Sequence, residues 1–176
     1  MFNKQYKEKE IETIIKSMII LIDSREKVNS HIRLWLKSNR IPFEIMKLDY
    51  GDYSFYIPKN NKLEIDDDIF FTNEITIERK ANAEELSGNF TEDRERLKRE
   101  FERGRGKIRL LIEDSTYSDI NSGNYKTKFP SNSYIASLHT FQERYNTPFI
   151  FVKKEQSANY IYNTFKYYLR TKLINK

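Results

Sequence analysis

The sequence predicts an α/β domain, with a mixed, mainly central-parallel sheet flanked by helices on both faces. Two observations carry this reading. Short apolar runs of strand length recur from Met18 onward, and one of them, 18–22, is continuous enough for a strand buried on both faces. Between the runs lie segments whose apolar residues return every three or four positions, the period of a helix with one buried stripe. At 176 residues the chain suffices for one domain with a substantial core.

In order, residues 1–17 read as an N-terminal helical extension, with Ile11, Ile14 and Ile15 along one side, and residues 18–176 as the domain itself. The run 18–22 delivers Asp23 to the C-terminal end of a strand, where ligands of open α/β sheets gather. A helix follows with Arg25 and Glu26 in its first turn and Val28, Ile32, Trp35 and Leu36 on one stripe, stopped by Asn39 and Pro42. Phe43, Ile45 and Leu48 mark a second strand and 53–57 a third. Asp66-Asp67-Asp68 lacks the spaced ligands and glycine of a calcium loop and reads as a solvated turn. An extended segment at 69–71 then leads to a strand at 75–80.

Beyond it, 81–86 reads as a short helix broken at Gly88-Asn89. Thr91 is the expected N-cap of the next helix, which buries Leu97 and Phe101 and ends at Gly104 and Gly106. The exposed side of that helix carries Arg94, Arg96, Arg99 and Arg103 among acids, in a pattern suited to i,i+4 ion pairs. A strand at 108–112, a long loop at 115–130, a helix bearing Ile135, Leu138, Phe141 and Tyr145, and a strand at 149–152 follow. The last helix sets Ala158, Ile161, Phe165, Tyr168, Leu169 and Leu173 along one face. His31 and His139 fall on helices without neighbouring ligands and read as structural.

Composition narrows the function classes. With no cysteine, neither a disulfide framework nor a thiolate metal site is possible. The N-terminus lacks an apolar signal core and no apolar run approaches membrane-spanning length, which leads us to expect a soluble, cytoplasmic chain. A net charge of +5 favours an anionic partner modestly, because acids and bases are interleaved almost everywhere. The 12 Tyr and 12 Phe fall mostly at core-like spacings and read as packing.

The chemistry concentrates at Ile77-Glu78-Arg79-Lys80, together with Tyr50-Gly51-Asp52-Tyr53 upstream. On a strand, Glu78 and Lys80 point to one face while Ile77 and Arg79 point to the other. A carboxylate beside an ammonium is what metal-assisted phosphodiester hydrolysis needs: the acid holds a divalent cation and the lysine orients or activates the attacking water. Asp52, set at a tight turn by Gly51, supplies a second carboxylate. Two hard oxygen ligands completed by water suit Mg2+ or Mn2+ rather than zinc.

At these residues the chain resembles a family. Gly51-Asp52 followed by Glu78-Arg79-Lys80 is similar to the G-D-x(n)-E-R-K-x3-D signature of the XPF-type structure-selective nucleases, a branch of the PD-(D/E)XK superfamily. Ile22-Asp23-Ser24-Arg25-Glu26 matches the family's earlier block, and Asp93-Arg94-Glu95-Arg96 with Leu110-Leu111-Ile112-Glu113 its basic helix and next core strand. The signature's last acid departs: after Lys80 and three intervening residues stands Glu84, followed by Glu85.

The resemblance implies a restriction-endonuclease-like fold and a divalent-metal-dependent DNA endonuclease acting on branched or flap DNA in repair or recombination. It implies Asp52, Glu78 and Asp23 at the metal, with Glu26, Lys80 and Arg79 completing the catalytic set. Arg25, Arg94 and Arg79 are the expected DNA contacts, with Glu84 or Glu85 an additional acid. It also implies a homodimer through the C-terminal helices. The alternative is a non-catalytic DNA-binding or partner subunit that keeps the nuclease-like fold.

Overall fold

The computed structural model of the protein describes residue 2 and residues 4–174. In chain order the elements are α1 (Glu8–Lys16), β1 (Ile19–Asp23), α2 (Ser30–Ser38), β2 (Phe43–Met46), β3 (Tyr53–Ile57), β4 (Ile69–Phe70), β5 (Thr76–Lys80), α3 (Ala83–Thr91), α4 (Arg94–Arg103), β6 (Ile108–Glu113), α5 (Tyr117–Ser122), α6 (Ser131–Tyr145), β7 (Phe149–Val152) and α7 (Ser157–Ile174).

One sheet runs β2-β1-β3-β5-β6-β7, with β4 paired to the far end of β3. The pairs β1–β2, β5–β6 and β6–β7 are parallel, whereas β3 is antiparallel to β1, β4 and β5. Only β3 therefore runs against the others. The consequence decides where chemistry can occur: the C-terminal ends of β1, β5 and β6 meet the N-terminal end of β3 at one edge, in register through Ile22, Tyr53 and Ile77.

Strand alternation gives the sheet two apolar faces. Ile20, Ile22, Phe55, Ile77 and Leu111 pack against α1, α2 and α7, which contribute Ile14, Ile32, Leu36, Ile161 and Phe165. Leu110 and Ile112 pack on the other side with Phe90, Leu97, Phe101, Leu138 and Phe141 from α3, α4 and α6. Helix α1 joins the first of these cores outright, burying Ile11, Ile14 and Ile15. In α7 the expected stripe of Ala158, Ile161, Phe165, Leu169 and Leu173 is buried, with Tyr168 partly so and donating its hydroxyl to Glu74 at 2.9 Å.

Several local expectations are corrected. Helix α2 begins only at Ser30, so Arg25 and Glu26 precede it, and Val28 is exposed rather than on its buried stripe. The chain does not break at Gly88-Asn89: α3 continues to Thr91, because burying Leu86 and Phe90 outweighs the roughly 1 kcal/mol that a mid-helix glycine costs. Thr91 is accordingly no N-cap, and its hydroxyl donates back to Ser87 O at 3.0 Å. The stretch 115–130 holds a short helix, α5, started by a Thr116–Asp119 capping box and anchored by buried Ile120. The ion pairs within α4 stand at i,i+3, as in Arg96–Asp93 and Lys98–Glu95.

Candidate active site

The site begins with a glycine. Gly51 lies at φ +70°, and a Cβ there would stand 2.7 Å from both Cβ and Oγ1 of Thr76. Only glycine lets the chain turn this closely against β5. The turn is bound to the sheet edge by the backbone: the Asp52 amide donates to Ile77 O at 2.8 Å, and the Asp23 amide donates to Asp52 O at 2.7 Å. The Arg79 amide completes the fixation, donating to Asp52 Oδ2 at 2.8 Å.

Alternation along β5 then puts Glu78 and Lys80 on the face that carries α3 and α4. Both are buried, and Lys80 Nζ donates to Glu78 Oε1 at 2.7 Å. Burial works against the Lys80 charge, but Glu78 and Asp52 outweigh it and hold the ammonium above the usual lysine range. Burial, then the Glu78 charge, push the Asp52 carboxyl well above its usual 3.8, and Lys80 offsets this only in part. Carboxylates crowded around one ammonium are short of positive charge.

A third acid here, Glu100 of α4, was not singled out from the sequence. It accepts from the Gly51 amide at 3.0 Å and stands close enough to Glu78 to feel its charge. Burial, followed by the Glu78 charge, raises its carboxyl. A sequence signal existed: Glu100 stands between Leu97 and Phe101 on the flank of the helix that turns inward, where an acid needs a partner.

The other face of β5 carries a second network. The Arg79 guanidinium donates to Glu113 at 2.7 Å, to Glu26 at 2.9 Å and to Val28 O at 2.8 Å, and its side chain is 4% exposed. His31 Nε2 lies 2.8 Å from the second Glu113 oxygen. Arg79 therefore ties β5 to β6 and to the segment after β1. Glu26 belongs to this network but stands close enough to Asp52 to raise its carboxyl further. Glu113 is another acid that the sequence reading did not place at the site, although it ends a central strand at the same edge.

The profile of the ERCC4 domain matches residues 22–164, more than half of the chain and all of the site described above. The chain belongs to the ERCC4 domain family. The structure of this ERCC4 domain is also similar to that of XPF from Aeropyrum pernix, with a TM-score of 0.62 and 17% identity over 86% of this chain and 65% of that one. Against XPF from Aeropyrum pernix in complex with DNA the TM-score is 0.59, with 16% identity over 88% of this chain and 65% of that one. The chain thus spans 65% of the length of those structures, and at such identity the likeness is one of fold. By sequence, no curated protein matches.

Other expected site residues of the ERCC4 domain fall into distinct places. Asp23, expected at the metal, is an arginine anchor in this structure. Its Oδ1 accepts from Arg25 Nε and the Arg25 amide, and its Oδ2 from Arg25 Nη2 and the Leu48 amide, at 2.7 to 2.8 Å. Burial opposes its charge, but these donors, Arg25 foremost, hold the carboxyl below its usual range. Arg25 is thereby pinned at the rim of the site with 57% of its side chain exposed, close enough to feel Glu100 and Asp52.

Arg94 does not face solvent as expected. It donates to Phe90 O and Ser137 Oγ and lies over the Phe141 ring, joining α3, α4 and α6. Of the two acids after the signature, Glu85 approaches Lys80 at 4.0 Å, whereas Glu84 accepts from the Lys126 amide. A groove of about 820 Å³, lined by Phe71, Arg109, Tyr160, Tyr167 and Tyr168 among others, includes none of the site residues.

Proposed function

We propose that this ERCC4 domain is a divalent-metal-dependent DNA endonuclease. The observation that carries the reading is the convergence of Asp52, Glu78 and Lys80 on one face at the strand edge, with Asp52 held by the Arg79 amide at 2.8 Å.

The residues fit Mg2+ or Mn2+. Asp52 and Glu78 offer hard oxygen donors, and burial, followed by the Glu78 charge, raises the Asp52 carboxyl, both of which a bound cation would offset. Among the described residues no three His, Cys, Asp or Glu side chains are grouped to hold a metal ion, here or elsewhere. Asp52 and Glu78 would therefore hold the ion with water completing the shell. When bound, the ion supplies Lewis acidity at the phosphoryl oxygen and a more acidic water.

The chain's own groups do the rest. Lys80, kept as an ammonium by Glu78 and Asp52, orients the attacking water and stabilises the negative charge that develops as the phosphodiester is attacked. Arg25 meets a phosphate at the rim and fixes the register of the strand. Asp23 keeps Arg25 in place, and Arg79 and Glu26 hold the sheet edge together from behind. By analogy with XPF-type nucleases, the substrate is branched or flap DNA and the working form a homodimer through the C-terminal helices, in repair or recombination in the cytoplasm.

The test is cleavage of labelled single-stranded, duplex, flap and forked DNA in EDTA, Mg2+ or Mn2+, with wild type beside Asp52→Asn and Lys80→Ala. Metal-dependent cutting that both variants lose, with flap or forked DNA preferred, is the expected result. Wild type that binds DNA but never cuts would favour a non-catalytic partner subunit.

A further inference from the structure

The residues between α5 and α6 are fastened to α3, the helix that follows directly from Lys80. The Tyr125 and Phe129 rings lie 5.3 and 5.5 Å from that of buried Tyr134, whose hydroxyl donates to Ala83 O at 2.7 Å. Between them, Thr127 Oγ1 accepts from Ser87 at 2.9 Å. The main chain adds another tie, since the Lys126 amide donates to Glu84 Oε1 at 3.0 Å. Positions 125, 127 and 129 therefore turn inward, and Lys126 and Lys128 stand exposed between them.

Neither ammonium is balanced. Among the described residues no acid lies within ion-pair distance of Lys126 or Lys128. By contrast, Arg96, Lys98 and Arg105 are each paired with an acid three residues earlier. Two unbalanced ammonium groups on a fastened loop attract an anion, and little ordering of the backbone is left to do when it arrives.

Their place decides which anion. The first turn of α3 is tied to the end of β6 by the Ala83 amide, which donates to Ser115 Oγ at 2.9 Å. Glu85 of that turn approaches Lys80 at 4.0 Å, and its neighbour Glu84 carries the Lys126 amide. The loop thus lies on the sheet face that holds Glu78 and Lys80, on the β6 side of the acid pair, whereas Arg25 lies on the β1 side.

We propose that Lys126 and Lys128 bind the DNA backbone across the site from Arg25, so that the phosphodiester to be cut lies between two cationic contacts. The strand then crosses the acid pair from the β1 side to the β6 side. These contacts are to phosphate and carry no base preference. The inference rests on the nuclease reading for the bond that is cut, but the contacts themselves are measured by binding alone.

The experiment uses the full-length protein in EDTA and a labelled duplex at several salt concentrations. Wild type is compared with Lys126→Ala combined with Lys128→Ala. The control, Lys9→Ala combined with Lys37→Ala, removes the same charge from exposed positions of α1 and α2, which pack on the other face of the sheet. The loop variant is expected to lower the slope of log affinity against log salt by about 1.8, or about 0.9 for each phosphate, while the control keeps the wild-type slope. Because the chain has no cysteine, Lys126→Cys and Arg25→Cys each carry a single thiol. Crosslinked to DNA with thiol-tethered phosphates, the two are expected to map to opposite sides of the bond that wild type cuts in Mg2+.

A loop variant with the wild-type slope, or one matched by the control, would overturn the proposal, as would crosslinks from both thiols on the same side. If wild type cuts and the slope of the loop variant is unchanged, only this proposal falls. Wild type that binds DNA without cutting sinks the nuclease reading, while the slopes still decide whether the loop holds phosphate. A wild type that binds no DNA overturns both.

Discussion

The amide of Arg79 donates to Oδ2 of Asp52 at 2.8 Å, while the Arg79 side chain leaves through the opposite face of the sheet to Glu113 and Glu26. One residue thus orients a carboxylate with its backbone and braces the strand edge with its side chain. Replacing Asp52 by Asn keeps an oxygen for that amide, so the fold survives. Cleavage is expected to fall by about 100-fold or more, as when a group acting on the transition state is lost. In metal-free buffer Asp52→Asn should melt about 2–4 °C higher, the size expected for roughly 1 kcal/mol of relieved repulsion in a chain this long. A lower melting temperature would contradict the crowding of charge.

The same charge has a pH signature. In the unfolded chain Asp52 ionises near 3.8, and in the fold well above that. A carboxyl with a raised folded value binds its proton more tightly when folded, so it costs stability as pH rises from about 4 toward neutrality. The stability gap between wild type and Asp52→Asn should therefore open over that range and narrow when Mg2+ is added. Asp23, whose folded value is lowered, contributes in the opposite sense: its stabilisation is present above 3.8 and lost as pH falls through its folded value. That contribution is common to both proteins and cancels. Urea titrations across pH check the sign.

Lys80 and Glu78 form a buried pair, so single and double substitutions should behave differently. Lys80→Ala leaves Glu78 unpaired and should cost about 3 kcal/mol, whereas Glu78→Gln combined with Lys80→Met should recover most of it without restoring cleavage. A double variant as unstable as the single would show that packing rather than charge governs this position.

Arginines on opposite sides of the edge should separate cleanly. Arg25→Ala removes an exposed guanidinium, so DNA affinity should fall across all sequences and the salt dependence should flatten by about one phosphate contact. Arg79→Lys cannot span Glu113, Glu26 and Val28 O together, so it should lower stability by about 2 kcal/mol while the salt dependence of DNA binding stays unchanged. Filter binding at several salt concentrations distinguishes them.

Gly51→Ala faces both a left-handed backbone and a Cβ at 2.7 Å from Thr76. A loss of about 2 kcal/mol or more in urea midpoint analysis is expected. An unchanged midpoint would mean that the turn relaxes away from β5.

The sequence by itself determined the order of the strands and of the helices other than α5, and the face that each residue of β5 takes. Those follow from local apolar periods, and a strand's period of two placed Glu78 and Lys80 together and Arg79 away from them. It also named the glycine turn, because a Gly-Asp pair before a strand limits the backbone. It did not show that α3 runs through Gly88, where burial of Phe90 decides against local propensity. Nor did it bring Glu100 beside Glu78, separate the duties of Glu85 from those of Glu84, or turn Asp23 into an anchor for Arg25. Each of these depends on which element crosses which strand end, and β3 running against its neighbours is what gathers those ends. Contacts between residues tens of positions apart carry no local period, so only the tertiary structure decides them.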